Sequence, residues 1–75
     1  MKLSEVKLNT QCIIKSVDIK NEKTKIRIME LGLVENCLVK VVKKSALKKT
    51  LLVVFCATCF TLNENIAQEI GVEYA

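Results

Sequence analysis

The sequence predicts a mainly β fold: a small closed barrel of five short strands with one short α-helix inserted after the first strand. Three observations carry that expectation. The apolar residues are aliphatic and β-branched, with nine Val, seven Ile and nine Leu against only Phe55, Phe60 and Tyr74, and this mixture favours strands. A single window has a good helical pattern. The remaining apolar runs are of strand length and are separated by turn residues. At 75 residues the chain accommodates one domain, spanning 1–75, since so short a chain buries only about 60% of the surface its unfolded form exposes. Hydrophobic residues at 51% and charged ones at 27% mark it as globular, and the absence of proline removes any polyproline linker.

In chain order, Leu3 to Val6 reads as an opening turn whose Leu3 and Val6 tuck under the core, and Asn9-Thr10 makes the corner into the first strand, Cys12 to Ile19. Ile14 and Val17 can both face inward only if one extra residue is absorbed between them, which predicts a β-bulge near Lys15 or Ser16. Asn21 to Leu31 is the helical window, with Asn21 as N-cap, Glu22 in the first turn, and Thr24, Ile28 and Leu31 on one face flanked by Met29. Gly32 then supplies a left-handed C-cap with Leu33 as its hydrophobic companion. Leu38 to Lys44 and Leu51 to Cys56 read as strands joined by a basic loop. Cys59 to Leu62 follows across a tight hairpin placed at Ala57-Thr58. Asn63 to Ala67 reads as one helical turn, and Ile70 to Tyr74 as the closing strand. Such a closed barrel has no exposed strand edge.

The composition excludes much chemistry. With no His and no Trp, the usual general base, the commonest metal ligand and the best base-stacking ring are missing. No nucleophile-base pair, phosphate-binding glycine loop or paired acid constellation is present, so an enzyme is not expected. The formal charge of +4 comes almost wholly from lysine, and Arg27 is the sole arginine able to offer a bidentate fork. Four cysteines would suggest a disulfide scaffold after a secretory leader. Met1 to Thr10 has no apolar leader core, and the apolar stretch Leu51 to Leu62 falls short of the roughly 20 residues of a membrane span. The expected location is therefore a reducing cytoplasm, with Cys12 and Cys37 as small buried hydrophobes.

The order of elements, the segment Thr24-Lys-Ile-Arg-Ile-Met-Glu-Leu-Gly-Leu33, the strand Val39-x-Val41 and the ending Leu62…Ala67…Ile70-x-Val72 resemble the ferrous iron transport protein A (FeoA) family. Arg27-x-x-Glu-Leu-Gly-Leu33 is the most specific part, and the match runs from about Leu3 to Val72 without an insertion. The resemblance implies an SH3-like five-stranded barrel with one inserted helix. It further implies a cytosolic, non-catalytic accessory protein beside a membrane ferrous iron transporter that carries a GTPase domain. A related domain ends metal-dependent repressors. No required cofactor is implied, though Fe(II) or another divalent transition metal is the ion such a protein would take. Arg27, Glu30, Leu31, Gly32 and Leu33 become candidates for partner contact, with Arg27 and Glu30 also spaced for a weak surface pair. The chain departs from the family at Leu8-Asn9 and Glu35-Asn36, where relatives carry Pro-Gly, and at Ala57, where they carry glycine. Asn still accepts the left-handed conformation those corners require.

Two constellations stand out beside the resemblance. Cys56-Ala-Thr-Cys59 across a two-residue hairpin would set both cysteines opposite each other on one face, with Phe55 and Phe60 turned into the core. Such a pair could clip a soft divalent metal or cycle to a disulfide, but a structural zinc site takes four ligands and no second pair completes one. Ordinary strand positions are the other reading. In Leu51 to Phe55, apolar residues alternate inward and outward without charges. Leu38, Val42, Leu52 and Val54 would then form an outer apolar patch rimmed by lysines, either a contact surface or a face covered by the helix or the N-terminal turn. A contact surface would dock the transporter or a second copy of the chain. Lys43, Lys44, Lys48 and Lys49 form a loop that serves solubility or meets anionic lipid beside the transporter. The competing functions are a small nucleic-acid-binding barrel and a thiol-based metal or redox protein using Cys56 and Cys59. Nucleic acid is not the expected partner, because Phe55 and Phe60 are assigned inside.

Overall fold

The computed structural model describes residues 1–75. Five strands form one antiparallel sheet in the order β4-β3-β2-β1-β5: β1 Gln11–Val17, β2 Leu38–Ser45, β3 Thr50–Phe55, β4 Thr58–Asn63 and β5 Ile70–Tyr74. Helix α1, Glu22–Glu30, joins β1 to β2, and the single turn α2, Glu64–Ala67, joins β4 to β5. A 3₁₀ turn over Leu3–Glu5 precedes β1. The sheet ends, β4 and β5, are not hydrogen-bonded to each other. Instead α2 packs against β3, β4 and the 3₁₀ turn, which in turn meets β5, so side chains cover the seam that an ideal closed barrel would seal with a ladder.

The core is wholly apolar. Seventeen residues are buried, none of them polar or charged, and Phe55 is the only aromatic among them. Leu3 and Val6 lie in it as predicted, and Lys44 holds them there by donating to the Ser4 and Val6 carbonyls at 3.0 and 2.9 Å. Lys44 thus belongs to the framework and not to the basic loop expected from the sequence. Cys12, Ile14 and Val17 all face inward on β1 because the register against β5 slips between Ile14 and Ser16, the predicted bulge. A second slip, between Val41 and Lys43 opposite β3, is not among the features expected from the sequence.

Helix α1 begins where Asn21 accepts the Thr24 amide at 3.1 Å. It ends in a Schellman motif, with the Gly32 amide on the Met29 carbonyl (3.0 Å), the Leu33 amide on Ile28 (3.3 Å), and Gly32 at φ 105°. Its inward face is narrower than predicted: only Ile28 is buried, while Leu31 and Met29 are exposed. The helix meets the sheet near β4, where Thr24, Arg27 and Ile28 share a cleft with Phe60, Leu62 and Ile66. Asn9 and Asn36 take the left-handed conformation, with φ of 60° and 70°.

Candidate functional site

The helix exit and the start of β2 carry the largest concentration of uncovered apolar side chains. The Schellman motif turns the chain sharply after Leu31. Leu33 therefore goes into the core beside Ile28, and its assignment to a partner surface is corrected: it is a buried anchor. Gly32 supplies the backbone conformation at the turn. Around these two, Ile26 (53% exposed), Met29, Leu31 (41%), Val34 and Leu38 (47%) remain in solvent. Ile26 and Val34 are not among the residues the sequence singles out, and Met29 is expected there only as a flank of the inward helix face. For Ile26 and Met29 the signal is in the pattern nonetheless, since a helix with one inward residue per two turns must leave its other apolar positions outside. Arg27 and Glu30 are also exposed and do not pair with each other; the structure's one ion pair joins Lys15 and Glu73 at 3.5 Å.

The outer face of the sheet is more broken than the alternation suggested. Cross-strand rows place Lys40 beside Val54 and Cys59, and Lys43 beside Leu52 and Thr61, so each apolar side chain stands in a row with a lysine. Leu38 pairs with Ile13, and Val42 occupies the bulge. Val42, Leu52 and Val54 are half-buried, leaving Leu38 the most exposed of the four.

The cysteines fall out differently from the prediction. The β3–β4 turn is Cys56-Ala57, with Phe55 opposite Thr58 and Val54 opposite Cys59, one residue earlier than expected. Both turn residues have positive φ (48° and 60°), the type I′ geometry of two-residue hairpins. Cys56 and Cys59 are therefore not cross-strand partners, and the predicted clip between them is not assembled. The thiol that does approach Cys56 is Cys37, with the two Sγ atoms 3.9 Å apart. Cys37 is half-buried just before β2 and also contacts the Leu38 carbonyl at 3.4 Å. Burial raises its pKa above the usual thiol value, and the hydrogen bond and charge of Cys56 push it further up, against a smaller lowering by the backbone at Val34. No spacing rule reveals a pair 19 residues apart. The β2–β3 register does: continuing the pairing of Lys40 with Val54 outward by three residues brings Cys37 level with Ala57.

Cys37, Cys56 and Ala57 line one end of a groove of about 480 Å³, with Leu38, Val39, Val54 and Phe55 as its apolar walls and Gln11 and Lys40 at its rim. No three His, Cys, Asp or Glu side chains converge anywhere in the structure. Phe55 is buried and Phe60 packs against the core, while the Tyr74 hydroxyl accepts the Lys7 amide at 3.0 Å. Tyr74, 42% exposed, is the one largely exposed ring, whereas stacking along a nucleic-acid strand draws on successive aromatic side chains. No helix is long and apolar enough to cross a membrane.

Comparison with known proteins follows the same line. No curated protein matches the chain in sequence. The FeoA protein of Chlorobium tepidum superposes with a TM-score of 0.90 at 31% identity, over 99% of this chain and 70% of that one. The zinc complex of Stenotrophomonas maltophilia FeoA, a procaryotic SH3 domain protein offered as a ferrous iron transport activating factor, gives 0.83 at 33% identity over 97% and 89%. The T. acidophilum IdeR structure shares the fold alone: its TM-score is 0.84 at 15% identity, over 100% of this chain and 34% of that one. The FeoA domain model matches residues 1–74, so this SH3-like chain belongs to the FeoA family and has its role in ferrous iron transport.

Proposed function

We propose that the chain is a non-catalytic accessory module of ferrous iron uptake, working in the cytosol by contact with a membrane Fe(II) transporter that carries a GTPase domain. The observation that carries this reading is the run of uncovered apolar side chains from Ile26 to Leu38 at the helix exit, on a chain whose core is otherwise fully covered. Apolar surface gathered on one segment is the usual mark of a contact site. Arg27 and Glu30 flank it with charges of both signs that are not spent on each other, which suits them to fixing orientation on a partner. Leu52, Val54 and Val42 extend the surface across the sheet in a secondary role, since lysines interrupt them.

Leu31→Ser combined with Leu38→Ser tests the reading, because both residues are exposed and their loss leaves the core intact. The double variant should keep the thermal unfolding of the parent, lose co-purification with the detergent-solubilised transporter, and fail to support Fe(II) uptake in cells. Undiminished association would overturn the proposal. Self-association abolished by the same changes, with transporter binding unaffected, would assign the surface to a second copy instead. No resident cofactor is needed for this role.

A further inference from the structure

We infer that Cys37 and Cys56 form a binding site for a soft monovalent metal ion, Cu(I), held by two thiolates at the end of the β2–β3 groove. The inference does not rest on the proposed docking role, although Leu38 belongs to both surfaces. Two free thiols from segments far apart in sequence converge to 3.9 Å, and the exposed position of Cys56 gives an ion a way in. Soft thiolates select Cu(I), zinc or iron–sulfur clusters, and the clusters need four cysteines where this site has two. The surroundings choose between Cu(I) and zinc. Zinc takes four ligands, and no third Cys, Asp or Glu joins this pair. Cu(I) is satisfied by two sulfurs, and apolar walls of Leu38, Val39 and Phe55 suit an ion that carries no water. The sulfur separation is slightly shorter than a linear S–Cu–S unit requires, and rotation of the exposed Cys56 side chain opens it.

Charge points the same way. Two thiolates on Cu(I) leave one net negative charge; Lys40 lines the groove and no carboxylate does. On binding, both S–H bonds break, two protons pass to solvent, two S–Cu bonds form, and copper remains Cu(I). Cys59 stands apart, paired across the sheet with Val54.

The test is an anaerobic titration of the reduced full chain against the Cu(I) complex of bicinchoninate. The unaltered protein should withdraw one equivalent. Cys37→Ser and Cys56→Ser should each weaken binding by more than the roughly 10–100-fold that loss of a supporting residue costs, and Cys59→Ser should not. Because two protons leave, apparent affinity should rise by up to about 100-fold per pH unit below the thiol pKa values. The inference is overturned if copper stays with the indicator, if Cys59→Ser loses binding while Cys37→Ser keeps it, or if equimolar Zn(II) displaces the bound Cu(I). Cys56 lies in an exposed turn, so its serine variant carries the test even where substitution of half-buried Cys37 disturbs the fold.

Discussion

Ala57 sits at φ 60° beside Cys56 at 48°, in a turn that Asn-Gly or Gly-Gly would occupy without strain. A left-handed conformation costs a residue with a Cβ about 1–2 kcal/mol, and glycine returns part of that gain as extra freedom in the unfolded chain. Ala57→Gly should therefore raise the free energy of unfolding by about 0.5–1 kcal/mol, read from the midpoint of a urea titration under reducing conditions. The positive φ of Asn9 and Asn36 was legible because Asn is one of the few residues that accept it. The hairpin was not, since neither Cys56 nor Ala57 signals a left-handed turn. The turn was accordingly placed one residue late, and that single step moved Cys56 from a strand facing Cys59 to a loop facing Cys37.

At the scale of elements, the bulge in β1 is paired with a glycine. A Cβ on Gly71 would run into the Ser16 hydroxyl, so with that serine in place β5 lies against the bulged strand most easily with no side chain there. Gly71→Ala should destabilise the fold by about 1–3 kcal/mol, the usual cost of forcing atoms into filled space. The remaining contacts, to the Ser16 Cβ at 3.7 Å and its backbone nitrogen at 3.9 Å, are ordinary ones. Adding Ser16→Ala should then recover most of the loss, and a double-mutant cycle by denaturant unfolding measures the coupling. Additive effects would show that the cost lies in the β5 backbone instead. The bulge itself was readable from Ile14 and Val17, which share a face only if a residue is skipped. The slip at Val42 falls where the alternation Val39-Lys40-Val41 breaks into Val42-Lys43-Lys44, a doubling that a strand apolar on both faces also explains.

Over the whole molecule, stability rests on apolar packing with a single surface ion pair, and two thiols add a pH dependence of their own. Burial holds Cys12 above the ordinary value of 9.0, and Cys37 is raised by burial and by Cys56. A thiol pKa raised by folding means that the native state keeps its proton while the unfolded chain releases one. Their contribution is complete below the unfolded value and is lost as pH rises through the folded one. The urea midpoint should thus be insensitive to thiol titration near neutrality and decline above about pH 9. Cys12→Ala should flatten that decline, and an unchanged slope in the variant would locate the effect elsewhere.

The strands, the helix with its glycine exit, the bulge and the family were determined by the sequence alone, because each is written in residues close together: alternation, a cap, a skipped position, a run such as Arg27 to Leu33. Tertiary structure alone decided which apolar side chains stay uncovered and which cysteines meet. Leu33 and Leu31 are equally hydrophobic, yet one is core and the other surface, because the Schellman turn between them points the chain back at the sheet. Cys37 and Cys56 are brought together by the register of β2 on β3, a property of neither segment by itself.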